Sequence, residues 1–493
     1  MSDAATDNRS IKPRPGKGLP RRLYTWFDHR TGLDKLLHQA LDAPIPGGAR
    51  WSYVFGSGLL FILLSQIITG VFLALYYLPS ADRAHTTIAY ITKEVTSGAF
   101  LRSLHAYGSS AMVIVLILHL TQTFLYGAYK NRRELLWLSG CALFILVLAM
   151  AFTGYLLPWD QKAYFATSVG TNIASEFPLI GDWLKRLIRG GSDMGTLTLS
   201  RFFVAHVFLI PGAIFALIAL HVYLFRKAGA AGSVRSDPRA PGFETESFYP
   251  RQLLRDFGFA VVLIAALGIL AHFRPVELGP EANPADTRYV PRPEWYYLPI
   301  FQWLKCWPGS LALLGIIVIP SSIAVLFAGL PFIDRRRERR PWRRPVAVGG
   351  FAIILLSLFS LGLLSRLSDR RDRAIAAQLA HQRQETRRYM QAPFEPEMAE
   401  TSLAASNVAL LDPFAAKGKE VYEMQSCDSC HGDNGRGSAE GPKLVGIGAK
   451  FQPDQLEALL RHPTRKMIDG GMNAVVVSDQ EMESLVAYVN SLK

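Results

Sequence analysis

At 493 residues, half of them hydrophobic and with a formal net charge of +13, the chain is too long for one ordinary domain. Its apolar residues gather in long runs, which excludes a single soluble globular fold. Its basic residues sit in particular loops and not in one soluble patch, which excludes a nucleic-acid-binding surface.

Residues 1–50 form a polar, basic segment without the apolar core of a cleavable signal peptide. Within it, residues 21–42 put Leu23, Trp26, Phe27, Leu33, Leu36, Leu37 and Leu41 at helical spacing, which predicts an amphipathic helix on the cytoplasmic surface. Seven runs then approach the roughly 20 apolar residues needed to cross a bilayer. They cover about 54–78, 104–126, 136–157, 201–225, 252–273, 309–333 and 346–366. Lys12, Arg14, Lys17, Arg21 and Arg22 precede the first run, and Lys130, Arg132 and Arg133 follow the second. Arg226, Lys227, Arg235 and Arg239 follow the fourth, and Arg335, Arg336, Arg337, Arg339, Arg340, Arg343 and Arg344 follow the sixth. The positive-inside rule assigns these alternate loops and the N-terminus to the cytoplasm, so seven crossings carry the C-terminus outside. Arg366, Arg370, Arg371, Arg373, Arg387 and Arg388 run against that rule, which long tails can override. Between the third and fourth runs, Pro158, Trp159, Pro178 and Trp183 predict short helices along the outer face. The expected divisions are 51–230, a four-helix domain; 231–366, three further helices; 367–411, a charged helical stretch leading into a linker; and 412–493, a small soluble domain. Cys141 and Cys306 read as isolated thiols.

The second run holds His105 and His119, fourteen residues apart, and the fourth holds His206 and His221, fifteen apart. At 100 degrees per residue these spacings return to within about 40 and 60 degrees of one face. Each helix therefore presents two imidazoles on one side, in layers roughly 21 Å apart. Imidazole in a membrane is costly without a partner. A backbone carbonyl or water can serve for one; for four paired histidines, axial bonds to two haem irons account for all of them. His105 then pairs with His206 on the outer side and His119 with His221 on the inner side. Gly56 and Gly70 in the first run, and Gly140 and Gly154 in the third, repeat the fourteen-residue spacing, which would let flat macrocycles lie against the backbone. Helix packing is the plainer use of any one of these glycines.

The soluble segment carries Cys427-Asp428-Ser429-Cys430-His431, the C-x-x-C-H pattern that attaches haem c through two thioethers and one imidazole. Met472, after a glycine pair, is the expected sixth ligand and Met467 the alternative; Met482 reads as core of the last helix. Thioether ligation raises the reduction potential, so haem c lies downhill of both haems b.

Over residues 20–365 these features resemble cytochrome b of the respiratory cytochrome bc and photosynthetic cytochrome bf complexes. The resemblance rests on the His and Gly pairs, on GYLLPWDQ from Gly154 to Gln161, and on Pro293-Glu294-Trp295-Tyr296. The implied fold is an all-α, seven-helix transmembrane bundle with a four-helix di-haem core, followed by a small all-α class I-like cytochrome c domain. The implied activity is quinol oxidation in a cytochrome bc-type complex, with two non-covalent haems b, one covalent haem c, and quinol and quinone as substrates. Glu294 becomes the proton acceptor, a role that quinol oxidation requires of some nearby base. Tyr155 and Tyr296 become pocket-lining residues, and Asp256, Arg255 and Arg226 lie toward quinone reduction on the inner side. The fifteen-residue spacing, the PWDQ form and seven rather than eight helices are similar to the bf branch. Val54, where that branch has a cysteine, predicts no extra covalent haem. The chain has no further cysteine–histidine cluster, so a Rieske iron-sulfur partner is implied by the resemblance alone. So are a homodimeric complex, a soluble or membrane acceptor such as another cytochrome c, and residence in a bacterial inner membrane, among its lipids. The competing expectation is a di-haem membrane anchor passing electrons between quinone and a peripheral dehydrogenase. A helical tether for a cytochrome c is a third, and it leaves four paired histidines unexplained.

Overall fold

The computed structural model describes residues 19–232, 234, 244–394, 413–438 and 441–492. Lys12, Arg14, Lys17, Arg235, Arg239 and the expected linker from 395 to 411 lie outside the described residues. The chain divides into two units, Met1–Phe394 and Glu395–Lys493.

In the first unit the predicted surface helix is two helices, α1 (Leu19–Thr31) and α2 (Leu33–Leu41). Gly32 separates them at φ 65, a left-handed conformation that costs glycine little and ends a helix. Leu23, Trp26, Phe27 and Leu37 remain exposed, the unpartnered apolar face that an interfacial helix needs. The succeeding helices are α3 (Val54–Ala74), α4 (Ala84–Lys93), α5 (Gly98–Leu125), α6 (Glu134–Leu156), α7 (Gln161–Ser175), α8 (Gly181–Arg189) and α9 (Thr196–Val204). A π turn, Ala205–Leu209, joins α9 to α10 (Ile210–Ala228). Then come α11 (Arg251–Phe273), α12 (Leu298–Leu304), α13 (Ile319–Ala328), α14 (Leu330–Ile333), α15 (Pro345–Arg371) and α16 (Arg373–Gln391).

Among the described residues, six helices are long and apolar enough to cross a membrane: Trp51–Ala74, Gly98–Leu125, Glu134–Leu156, Thr196–Ala228, Arg251–Phe273 and Pro345–Arg371. The expected crossing at 309–333 is an interrupted helical run, in which the shorter apolar helix Leu314–Ala328 is followed by Leu330–Ile333. Its hydropathy suffices, but Gly309 has a positive φ, Pro320 follows a π turn, and Gly329 and Pro331 interrupt its end. Inside the bundle α3 packs on α5, α6 on α10, and α11 on both α3 and α5.

Residues 367–391 hold the charged helical stretch expected ahead of the linker. They complete α15 and form α16, which belong to the first unit. Arg292 donates to both carboxylate oxygens of Asp369, at 2.8 and 2.5 Å. Lys93 Nζ donates to the carbonyls of Tyr389 and Ala392, at 2.7 and 2.9 Å. Tyr389, Met390 and Phe394 pack against the buried cluster of Tyr77, Ile88, Leu156, Trp159, Leu199 and Leu278. This apolar contact holds α16, despite its charge.

The second unit comprises α17 (Pro413–Met424), α18 (Cys427–His431), α19 (Pro453–Arg461), α20 (Arg465–Asp469) and α21 (Asp479–Ser491). Its core is Val421, Tyr422, Leu456, Met482, Leu485 and Val489. A Cβ at Gly418 would overlap the backbone of Ser484, so only glycine lets α17 cross α21 this closely. Met482 is fully buried here, as expected of a core residue.

Candidate functional site

Four helices, α3, α5, α6 and the α9–α10 pair, bring the four histidines to one cavity of about 2380 Å³. Single small-molecule pockets commonly hold about 300–1,000 Å³, so this space suits more than one large ligand. At one end of it stand Glu294, Tyr155 and Tyr296, and at the other Asp256, Gln252 and Arg226.

His105 and His206 face each other with ring centroids 6.2 Å apart and planes at 74°. Two metal–imidazole bonds of about 2 Å each take up about 4 Å of such a gap and the ring half-widths the remainder, so a single iron fits between them. His206 lies in the π turn. That turn adds one residue between His206 and His221 without adding rotation, so the fifteen-residue spacing acts as fourteen. Pro211 explains the turn's position: its ring would clash with the carbonyl four residues back, and the wider turn relieves this.

Three histidines are oriented through Nδ1. His105 Nδ1–H donates to Thr69 Oγ1 at 2.9 Å, His221 Nδ1–H to Ser139 Oγ at 2.9 Å, and His206 Nδ1–H to Met150 O at 3.1 Å, with Thr153 Oγ1 at 3.2 Å. The hydroxyls themselves donate to helix carbonyls, Thr69 to Ser65, Ser139 to Leu136 and Thr153 to Ala149, so they accept from the imidazoles. This assignment puts the lone pair on Nε2, the atom an axial ligand needs. These hydroxyl residues were missed in the sequence, although each immediately precedes a glycine of the fourteen-residue pairs. Phe55 stands in that place before Gly56.

Each glycine faces one histidine. A Cβ at Gly70 would lie 3.2 Å from His105 Cε1, at Gly140 3.3 Å from His221 Cε1, and at Gly56 3.4 Å from His119 Cε1. At Gly154 it would overlap the His206 ring. The glycines therefore clear space for the imidazoles themselves as well as for a flat ligand beside them. Arg102 is buried near the outer layer, its guanidinium donating to the carbonyls of Val276 and Glu277 at 2.7 and 3.1 Å. It offers positive charge to an acidic substituent of a ligand.

At the outer end, Lys162 Nζ donates to Glu294 Oε1 at 2.6 Å and lies 5.3 Å over the Tyr155 ring. Tyr155 Oη donates to Arg292 O at 3.4 Å. Burial, and then the negative charge of Glu294, push the Tyr296 hydroxyl above its ordinary range, so it stays a neutral hydrogen-bonding group. A second cavity of about 270 Å³, with Phe152, Tyr155, Pro293, Tyr297, Ile300 and Phe301 in its walls, adjoins this group. Lys162 was also missed; only its place directly after PWDQ hints at it. At the inner end, Gln252 Nε2 donates to Asp256 Oδ1 at 2.7 Å, and Arg226 Nη1 donates to Gln39 O at 3.1 Å. Arg255, expected beside Asp256, is absent from the cavity wall.

In the second unit α18 carries Cys427, Cys430 and His431 in a single turn, and neither cysteine is in a disulfide. His431 Nδ1–H donates to Pro442 O at 2.8 Å, leaving Nε2 for a metal. Met472 and Met467 share the turn at Gly470–Gly471, where Met472 N–H donates to Met467 O at 3.0 Å. Both are half-buried, unlike Met482.

Three family models match: cytochrome b/b6/petB over residues 40–229, cytochrome b (C-terminal)/b6/petD over 281–382, and cytochrome c over 415–493. Cytochrome b of Rickettsia conorii is 35% identical over 366 residues, covering 72% of this chain and 89% of that protein. The menaquinol:cytochrome c reductase cytochrome b subunit of Bacillus subtilis is 39% identical over 219 residues, 43% of this chain and 98% of its own. Cytochrome b/c1 of Bradyrhizobium diazoefficiens is 35% identical over 346 residues, 69% of this chain but half the length of that protein. A chain of a hyperthermophilic respiratory complex III superposes with a TM-score of 0.63 at 26% identity, covering 74% of this chain and 99% of its own. The chain is thus a multi-pass membrane protein that belongs to the cytochrome b family and carries a cytochrome c domain at its C-terminal end.

Proposed function

We propose that this chain is the cytochrome b subunit of a quinol:cytochrome c oxidoreductase, with its electron acceptor built into the same polypeptide. The observation that carries this reading is one continuous cavity joining Glu294, the four histidines and Asp256, which gives a route from an outer substrate site to an inner one. His105 and His206 hold one haem b, His119 and His221 a second, and Cys427, Cys430, His431 and Met472 a covalent haem c. When bound, these groups supply one-electron carriers whose potentials are set by their axial ligands.

Glu294 accepts a proton from quinol, while Tyr155 and Tyr296 line the pocket and keep the ring against apolar walls. Asp256, with Gln252 as its partner, delivers a proton to quinone on the inner side, and Arg226 stands near with compensating charge. One electron of each quinol goes inward along the histidine layers; the other goes to a Rieske-type iron-sulfur subunit and from it to haem c. Release of protons outside and uptake inside conserve the charge separation, as in a Q cycle. The setting is a bacterial inner membrane, with the N-terminus cytoplasmic and the cytochrome c domain outside, in a homodimeric complex that passes electrons to another cytochrome c.

A di-haem anchor for a peripheral dehydrogenase would need no carboxylate at an outer pocket, which disfavours it. Purification in mild detergent, a pyridine haemochrome assay and subunit identification test the reading. About two haems b per haem c, with a co-purifying Rieske protein, is expected. Haem c alone, or a dehydrogenase in place of the Rieske protein, overturns it. Within that complex, Glu294→Gln slows quinol oxidation, and a wild-type rate removes the role given to this residue.

A further inference from the structure

The Lys162–Glu294 ion pair stands inside the outer substrate pocket, and stability does not explain it. Both side chains are about a third or more exposed, at 44% and 32%, and pairs of this kind contribute little to folding. Their placement is nevertheless closely controlled. Lys162 is the second residue of α7, whose N-cap, Asp160, accepts from Ala163 N at 2.8 Å and from Gly279 N at 3.2 Å. That pair of bonds ties the start of α7 to the segment that follows α11. The ammonium is further held over the Tyr155 ring. Arg292, another cation of the same cavity wall, is committed to Asp369 through two short bonds. Tyr155, Tyr289 and Tyr296 complete the surroundings, and burial first, then nearby negative charge, keeps the last two neutral.

We propose that Lys162 is a positioning residue for quinol deprotonation: its ammonium fixes one oxygen of the Glu294 carboxylate and leaves the other for the substrate hydroxyl. The inference rests on the reading of Glu294 as proton acceptor and deepens it. Oε1 is occupied by Lys162, and among the described residues Oε2 has no protein donor. A quinol in the pocket presents its O–H to Oε2. In the step, both quinol O–H bonds break: one proton passes to Oε2 and the other leaves the second ring oxygen to water. The two electrons those bonds release would go singly to two one-electron acceptors, an iron-sulfur centre of the Rieske-type partner and the outer haem, and the ring becomes the quinone. The carboxyl is then neutral, the ion pair is lost, and the side chain is free to swing from the lysine and carry its proton away. Lys162 thereby couples the charge on Glu294 to the direction in which it points.

The test uses the intact complex, with decylubiquinol as donor and cytochrome c as acceptor, and Lys162→Met, Lys162→Arg, Glu294→Gln and the Lys162→Met/Glu294→Gln double variant. Lys162→Met is expected to lower kcat about tenfold, within the range of general-base effects, with little change in KM. Lys162→Arg restores most of kcat, and the double variant is no slower than Glu294→Gln alone, because both act through one carboxylate. Dithionite-reduced haem b spectra unchanged in every variant exclude misfolding as the cause. If Glu294→Gln is slow but Lys162→Met runs at the wild-type rate, or the two losses multiply, the lysine proposal falls and the role of Glu294 survives. If Glu294→Gln is itself at the wild-type rate, both fall together.

Discussion

The glycines opposite the histidines allow a graded test of the haem sites. Alanine at Gly154 places a methyl group in overlap with His206 Cε1. The imidazole must retreat by roughly 1 Å to regain the 3.5–4.0 Å carbon–carbon optimum. Metal constellations tolerate a displacement of about 0.5 Å, so Gly154→Ala should lose ligation at the outer layer. At Gly70 and Gly140 the contacts would be 3.2 and 3.3 Å, so the ring gives by a few tenths of an ångström and ligation survives. At Gly56 the 3.4 Å separation is an ordinary contact. The overpacking cost of about 1–3 kcal/mol should therefore fall chiefly on Gly154→Ala, less on Gly70→Ala and Gly140→Ala, and least on Gly56→Ala. Redox-difference spectra of purified variants, with the two haem b bands resolved by potentiometric titration, read the outcome. Gly154→Ala should lose the outer haem while keeping the inner one. An order in which Gly56→Ala is the most damaging, or a Gly154→Ala variant with both bands at wild-type amplitude, would refute the packing argument.

Asp334 accepts from Tyr129 at 2.6 Å and Lys130 at 2.7 Å, with Arg344 at 3.6 Å, and Lys130 and Arg344 are almost wholly buried. Asp334→Asn removes the carboxylate paired with two buried cations and should destabilise the first unit by about 3–5 kcal/mol, measured as a fall in the detergent melting temperature. Burial raises the Asp334 carboxyl, but hydrogen bonds from Lys130 and Tyr129 and the charges of Lys130 and Arg344 outweigh it and hold the group below its ordinary value of 3.8. Its contribution is thus complete above pH 3.8 and disappears as pH falls through the depressed folded value. Between pH 7 and pH 3 the gap between the wild-type and Asp334→Asn melting curves should begin to narrow only below pH 3.8, by at most about 1 kcal/mol, and a gap that narrows already above that pH would contradict this. In the second unit, Cys427→Ser/Cys430→Ser should abolish haem staining in denaturing gels yet leave both haem b bands intact. Met472→His should retain haem c at a lower potential; an unchanged potential would transfer the ligand role to Met467.

Membrane helices were legible because crossing a bilayer demands composition, and composition is visible without folding the chain. The interruptions within the run at 309–333 were hidden for the complementary reason. Hydropathy averages over a window, while Pro320, Gly329 and Pro331 act one at a time on hydrogen bonds. Gly32 had the same effect on the surface helix: the apolar spacing on its two sides was right, but one left-handed residue divides it. The packing of α16 required knowing that Tyr389 and Met390 would meet a cluster built from residues about 110 to 310 positions earlier, and no local pattern carries that.

The histidine layers illustrate how far spacing alone can be pushed. For α5 the fourteen-residue interval is enough, because an uninterrupted helix converts sequence distance into angle directly. For His206 and His221 the same rule leaves a 60-degree discrepancy, about 20 degrees more than in α5. The structure removes the excess through the π turn at Ala205–Leu209, beside Pro211. The proline was visible in the sequence, but the turn it favours was not, since a proline can equally kink a helix or end it. What selects the π turn here is the register required on both sides of it. His206 must meet His105 at 6.2 Å while His221 stays within reach of Ser139, and an extra residue can satisfy both only by widening the helix between them. The same dependence on tertiary register hides Lys162. Its side chain is an ordinary surface lysine until the fold brings Pro293 and Glu294 against the first turn of α7, and only then does it acquire a carboxylate to hold.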